Sequence, residues 1–271
     1  MFTDFEWCGQ AGSLYGLMIC KIDSSSGVET VENGANIELS TVNPVGTNKW
    51  NFLSGKYTEP LSYTFQVCKN PCTTNIDYFT STELRFLNRW LNRKDGYHKF
   101  KIVDSSDPDY SNIYFNSQLN VKQIEFSGNV IGLEITVLCD APFGYFDEKT
   151  VVMNLNKGNS FQYKYSDSSD EVGHLYPQFL IKCVENGNLE LGNTLSGKTL
   201  KISNCIANEI INIDSEHKII SSNIRGDDVI KDFNYSWLDI MNTFEDNINT
   251  YVSNIPCIVT LKYSPIAKIG M

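Results

Sequence analysis

Histidine, basic charge and long apolar runs are all scarce in this chain. Of 271 residues only His98, His174 and His217 are histidine, so acid–base chemistry near neutral pH would have to lean on carboxylates. Lys and Arg number 22 against 32 Asp and Glu, a net charge of −10, with an isoelectric point near 4.8. The basic residues form no stripe. A protein that grips phosphates needs a basic surface, so direct nucleic-acid binding is disfavoured. No apolar run approaches the roughly 20 residues that span a bilayer, which argues against membrane insertion. The opening "MFTDFEWCGQ" carries acids where an export signal carries Lys or Arg, and implies residence in a cytosol. There is no G-x-S-x-G, no P-loop and no Rossmann fingerprint.

The eight cysteines, Cys8, Cys20, Cys68, Cys72, Cys139, Cys183, Cys205 and Cys257, read as reduced thiols in a chain without an export signal. Cys139, Cys183 and Cys257 take apolar positions in alternating runs, as small buried hydrophobes do. Cys68 and Cys72 in "VCKNPCTT" are the only close pair. A zinc site wants a second such pair or a histidine pair, so neither metal nor cofactor is expected.

What is present is period-two alternation. The hydrophobic share of 41% and aromatic share of 12% belong to a folded protein, and the length suits two modest domains. One helix stands out. In "TSTELRFLNRWLNRKDG", Thr80 and Glu83 form a capping box, Leu84, Leu87 and Leu91 share a face with Trp90 beside it, and Gly96 reads as the stop. "LSYTFQV" puts Leu61, Tyr63, Phe65 and Val67 on one face of a strand. "LEITVLC" does the same with Leu133, Ile135, Val137 and Cys139, and Ser127, Gly128 and Asn129 before it read as a hairpin loop.

Pro142 and Gly144 in "CDAPFGYFDEKT" break the alternation, and a new series of short strands follows. This places a boundary near residue 148. Beyond it "FQYKY", "FLIKCV" and "CIVTLKY" alternate, separated by the turns "ENGN", "LSGK" and "RGDD". Short strands without crossover helices argue for a β-sandwich. "WLDIMNTFEDNINTYV" admits a helical reading that its asparagines weaken. The expected fold is therefore mainly β: residues 1–148 as an antiparallel β domain with one α-helix, and residues 149–271 as a β-sandwich.

Candidate chemistry is thin. His98 opens the alternating strand "HKFKIVD", with Phe100 and Ile102 facing inward, and reads as a surface or edge histidine because no motif supplies a partnered nucleophile. Asp104, Asp107 and Asp109 in "DSSDPDY" lack the spacing, the turn glycine and the closing Glu of a calcium loop, and read as a solvated turn at Pro108. Glu59, Asp170 and Glu171 are not identified as a catalytic pair by sequence. The tripeptide in "RGDD" is explained by a charged tight turn. Tyr235 and Trp237 in "FNYSWLD" are candidates for stacking on a sugar ring, although such aromatics more often pack within the protein.

The succession of segments carries a resemblance. "YGLMICKI", "FLSGKYTEPLSYTFQV", the helix "LRFLNRWL" leading into "GYHKFKIVD", and "VKQIEFSGNVIGLEITVLCDAPF" are similar in order and spacing to the N-terminal domain of the distal tail proteins of long-tailed bacteriophages, often called Dit. "GHLYPQFLIKC", "LKISN", "IINID" and "CIVTLKYSPIAKIG" resemble the family's galectin-like C-terminal sandwich. The resemblance implies a non-enzymatic virion protein of the tail tip or baseplate, made in the bacterial host cytoplasm. It implies a hexameric ring of N-terminal domains around a channel, joining the tail tube protein to a tip hub protein. The C-terminal domains would point outward to hold receptor-binding or peripheral baseplate proteins.

A ring needs a repeated head-to-side contact, and the polar segment "CKNPCTTNIDYF" offers Cys68, Lys69, Asn70, Pro71, Cys72 and Tyr78 as an arm to a neighbour. Two alternatives remain: a carbohydrate-binding tail protein using the sandwich, with Tyr235 and Trp237 as platform, and a cell-wall hydrolase, which would need a positioned acid and base. An acidic chain around a DNA channel should pass the duplex without binding it. A filter-binding or mobility assay should show no retention of duplex DNA; tight, salt-sensitive retention would contradict this.

Overall fold

A strand that alternates apolar and polar residues has one face to cover, and the chain covers it in two ways. The computed structural model describes residues 2–22, 34–72, 76–155, 162–243 and 245–269. They fall into two units, Met1–Phe146 with Ala267–Met271, and Asp147–Ile266.

The first unit holds β1 (Phe2–Trp7), β2 (Gln10–Ala11), β3 (Leu17–Cys20), β4 (Ile37–Val42), β5 (Asn51–Tyr57), β6 (Ser62–Lys69), helix α1 (Ser81–Leu91), β7 (His98–Asp104), β8 (Tyr114–Phe126), β9 (Asn129–Cys139) and β10 (Gly144–Tyr145). Seven strands follow one another across a sheet in the order β2-β1-β7-β8-β9-β6-β3, every pair antiparallel. Leu61, Val67, Leu133, Ile135, Val137 and Cys139 are buried on one face with Phe100 and Ile102, as their alternation requires. At the β8–β9 hairpin Phe126 pairs with Asn129, and the two residues between, Ser127 and Gly128, have φ of 50° and 80°. That is the left-handed pair a tight hairpin turn demands. Asn129 is thus the first strand residue, not a loop residue.

Helix α1 lies on the buried face of this sheet. Thr80 Oγ1 accepts from the Glu83 N–H at 3.3 Å while Glu83 Oε2 accepts from the Thr80 N–H at 2.7 Å, which satisfies two amides at the helix start. Leu87, Trp90 and Leu91 are buried in the core of the unit, and the Trp7 indole donates to the Trp90 carbonyl at 3.1 Å. The helix ends at Leu91 rather than at Gly96. Its last core-facing side chain is Leu91, and beyond it the polar residues are held in a turn: Asp95 takes bonds from Arg93 at 2.8 Å and His98 at 2.9 Å. Gly96, with φ of 121°, serves that turn. Among the described residues no helix is long and apolar enough to cross a membrane.

The second unit holds β11 (Lys149–Leu155), β12 (Gln162–Ser166), β13 (Gly173–Leu175), β14 (Gln178–Cys183), β15 (Gly187–Asn193), β16 (Lys198–Cys205), β17 (Ile210–Asp214), β18 (Ile219–Ser222), β19 (Ile240–Asn242), β20 (Ile248–Ser253) and β21 (Cys257–Tyr263). A sheet β11-β21-β14-β17-β18 and a sheet β12-β20-β15-β16 share one core. Met153, Phe179, Ile181, Ile211, Val259 and Leu261 come from the first, and Leu189, Leu191, Leu200, Ile202 and Tyr251 from the second. This is a β-sandwich. No described residue of 237–252 is helical: the stretch supplies β19 and most of β20. Asn249 is fully buried, accepting from Met241 N–H at 2.8 Å and donating to Met241 O at 2.9 Å. Here the asparagine joins strands, which its low helix propensity allows.

All eight cysteines are free. Cys183 pairs with Cys257 across β14 and β21, and with Cys205 they lie in the sandwich core. Burial pushes the Cys139 thiol up to about 12, so at neutral pH it stays protonated and unreactive.

The turn "RGDD" is a bolt. Arg225 Nε and Nη2 donate to the fully buried Glu209 carboxylate at 2.7 and 3.0 Å, and Nη1 donates to Asp232 at 2.7 Å. Burial alone would raise the Glu209 pKa, but the Arg225 guanidinium and the Ser222 hydroxyl outweigh it and hold the carboxyl below the usual range. Its contribution to stability is therefore complete above the ordinary glutamate pKa and is lost as pH falls through the lowered folded value. Arg225→Ala, leaving Glu209 buried and unpaired, should cost about 3–5 kcal/mol in urea unfolding at pH 7. The loss should shrink as the pH is lowered into the acid range. An unchanged midpoint would remove the bolt from the account of this unit.

Candidate functional site

The residues singled out by sequence lie in three places. In the first unit, Cys68 and Lys69 end strand β6: Cys68 pairs with Met18 on one side and Gly132 on the other, and Lys69 pairs with Leu17. The Lys69 ammonium is tied to Glu83 of the helix cap at 2.8 Å, its side chain only 8% exposed, and lies 5.5 Å from the Phe79 ring centroid. These bonds draw the Glu83 carboxyl down. Asn70 donates its N–H to Gly16 O at 2.8 Å and accepts from the Cys72 N–H at 2.9 Å, and Phe79 is fixed by its N–H to Val130 O at 2.8 Å. Both ends of the segment are thus anchored, and the surface it presents is carried by Cys72, Ile76 and Tyr78, all exposed. Residues 73–75 lie outside the described residues.

His98 bonds Asp95 and meets the edge of Trp7 at 5.6 Å, so it fastens the turn between α1 and β7. The carboxylates after it serve their own loop: Asp104 accepts from Ser106 N–H at 2.8 Å and Asp107 from Tyr110 N–H at 3.2 Å. Among the described residues no three His, Cys, Asp or Glu side chains gather as a metal site. Glu59 belongs to the first unit and Asp170 and Glu171 to the second.

In the second unit Tyr235 and Trp237 flank Phe233. Trp237 is half-buried against the core, 4.8 Å from the Phe233 ring at a steep angle. Tyr235 is 64% exposed with φ of 57°, an unusual conformation for a bulky residue. The Lys218 ammonium lies 5.5 Å from the Trp237 ring centroid and 3.9 Å from that of Tyr176, and Lys198 lies 4.5 Å from Tyr176. Behind them Asp239, fully buried, accepts from Lys198 at 2.8 Å and is bonded to His174 at 2.6 Å. Burial pulls the Lys198 pKa down, yet its bonds to Asp239 and Tyr176 carry it above the usual value. The faces of Tyr176 and Trp237 are occupied by cations of the same chain, which leaves Tyr235 as the freely offered ring.

A further surface was not found by sequence reasoning. Strands β4 and β5 form a hairpin that no third strand joins among the described residues. Gly55 sits opposite Leu39, and a side chain there would touch Leu39, Ile37 and Phe52, so these three share one face. Ile37, Leu39, Val42, Val45, Trp50, Phe52 and Leu53 are all exposed, Phe52 by 65% and Trp50 by 64%. The signal was present in "IELSTV" and "WNFLSGKY" around an Asn-Pro-Val-Gly turn. Periodicity marks such a face as apolar without saying what covers it.

The N-terminal residues 1–141 match the family model described as phage tail protein N-terminal domain, and residues 143–263 match the one described as phage tail C-terminal domain. No curated protein matches the chain. Among solved structures the fold is similar to the crystal structure of the SPP1 Dit (gp 19.1) protein, titled a paradigm of the hub adsorption apparatus in Gram-positive-infecting phages. That likeness has a TM-score of 0.63 at 14% identity, over 97% of this chain and 99% of that one.

The Asp239 cluster is open to a direct check by urea unfolding. Asp239→Ala strips Lys198 and His174 of their shared partner and should cost about 1–3 kcal/mol. Tyr235→Ala, which removes an exposed ring, should stay within about 0.5 kcal/mol of the parent. Equal losses would mean that Tyr235 is structural as well.

Proposed function

Because the chain belongs to the phage tail protein family through both its N-terminal and C-terminal domains, we propose that it is the distal-tail hub of a long-tailed phage particle. The observation that carries this is the fold likeness over the full chain to a protein titled as part of a hub adsorption apparatus. In this reading copies of the first unit close into a ring, six in number, at the distal end of the tail tube. The second unit, a galectin-like sandwich, holds receptor-binding or other baseplate proteins. We place the boundary between these roles near residue 148, which the division of the described chain at Phe146 and Asp147 supports.

The role is structural rather than catalytic. The match of both domains to phage tail protein models supports this. Partners are further copies, the tail tube protein, a tip hub protein and a peripheral receptor-binding protein. The exposed residues of the segment after β6, Pro71, Cys72 and Tyr78, contribute to the contact between copies, while Cys68, Lys69 and Asn70 hold its base.

A second reading, a glycan-binding tail protein, is favoured only by the exposed Tyr235 beside Trp237. A glycan-array signal that Tyr235→Ala abolishes would support it. The hub reading is tested by the native mass from light scattering, with negative-stain images of the same fraction. It requires a six-subunit ring with an open centre, alone or on addition of the tail tube protein. A monomer under both conditions contradicts it.

A further inference from the structure

We propose that Lys198 and Lys218, set around Tyr176 on the second unit, form a docking site for an acidic peptide segment of a partner protein; the inference rests on the reading of this unit as the one that holds a peripheral protein, and names the chemistry it recognises. Tyr176 stands beside the turn between β17 and β18, where the Ser215 N–H donates to Pro177 O at 3.2 Å. The Lys218 ammonium lies over the Tyr176 ring, 3.9 Å from its centroid, and 5.5 Å from that of Trp237. The Lys198 ammonium donates to the Tyr176 hydroxyl at 2.9 Å and to Asp239 at 2.8 Å.

The positive charge here is not balanced. Asp239 is fully buried and already shared by Lys198 and His174. Lys218 donates to a neutral partner, Ser215 O, at 2.6 Å, and among the described residues no carboxylate pairs with it. Two ammonium groups thus face one carboxylate, on a chain whose net charge is −10. A lysine free to move in water is ordinary on any surface, but this one is held by a carbonyl and a ring. Fixing it in advance removes part of the ordering cost of binding.

The backbone gives independent support. Asp214 pairs with Ile219, and Asp214 Oδ1 accepts from the Glu216 and His217 N–H groups at 3.1 and 2.9 Å, so the Asp214 side chain already closes the turn. Lys218 has φ of 60°, a left-handed conformation that glycine or asparagine adopts at less cost. A turn shaped only for its own stability would carry one of those. Lysine at this position, with its ammonium over Tyr176, is explained by a use for its charge.

A protein segment fits the site better than a small anion or a sugar. Ile219, next to Lys218, is 58% exposed and Tyr176 is 37% exposed, which leaves apolar surface beside the charge that a free anion would not cover. Stacking on a sugar needs an open ring face, and Lys218 lies against both Tyr176 and Trp237. Tyrosine and tryptophan are also the side chains enriched where proteins meet. A segment that alternates acidic and apolar residues satisfies both features, its carboxylates on the ammonium groups and its apolar side chains on Ile219.

Calorimetric titration of the full chain tests this with a capped peptide of alternating glutamate and leucine, its glutamine counterpart, and sodium galacturonate, each against native chain and Lys218→Gly. Glycine suits the left-handed turn position, so the urea midpoint of the variant should stay at or above the native value. The glutamate peptide should bind native chain more tightly than the glutamine peptide does. Lys218→Gly should weaken it about fivefold, roughly what one exposed charge pair supplies, and the difference should shrink as salt is raised.

Equal binding of the two peptides, or equal binding of the glutamate peptide by native chain and variant, overturns the proposal. Lys218-dependent binding of galacturonate without binding of the glutamate peptide overturns it as well, in favour of an acidic sugar. The hub reading is judged separately by light scattering. A native chain that binds the glutamate peptide but forms no ring with the tail tube protein keeps the acidic-peptide site and refutes the hub, and one that forms rings without binding the peptide does the reverse.

Discussion

One-sided burial is the constraint on which the molecule is built. Every strand that alternates apolar and polar residues needs a cover for one face, and without it the strand has little reason to persist. In the first unit α1 contributes to that cover, its Leu87, Trp90 and Leu91 lying in the core with the sheet's inward residues. In the second a sheet covers a sheet, with Phe179 and Tyr251 in edge-to-face contact between them at 6.1 Å. The β4–β5 hairpin is joined by no third strand among the described residues, and its apolar side chains are exposed.

Charge is handled differently inside and outside. The chain carries 32 acidic against 22 basic residues, a net charge of −10. The buried acids are bound: Glu209 to Arg225, and Asp239 to Lys198 and His174. Such pairs contribute little net stability but punish any arrangement that separates them, so they fix register between turns and strands.

Much of this was legible in sequence wherever the chemistry is local. The capping box at Thr80 and Glu83, the inward faces of β6, β9, β14 and β21 and the tight turn after Phe126 all follow from residues a few positions apart. The mainly-β fold with a single α-helix follows from them too. Gly96 was the right kind of residue for a stop, but the helix ends where its core-facing side chains end, which depends on the sheet beneath. The asparagines of residues 242–249 weakened a helical reading, yet only the fold shows that Asn249 bridges β19 and β20. The pairing of Glu209 with Arg225 joins two turns that sequence cannot bring together. Hardest to see was the hairpin, because an apolar face looks the same in sequence whether it is buried within the chain or left for a neighbour.

The described residues form two packed units, and the proposed place of the chain in a tail is open to direct imaging. Imaging intact tails at a resolution that separates strands tests this most directly. A six-fold ring of this chain at the distal end of the tube is the expected result. A chain located along the shaft of the tube, or missing from its distal end, would contradict it.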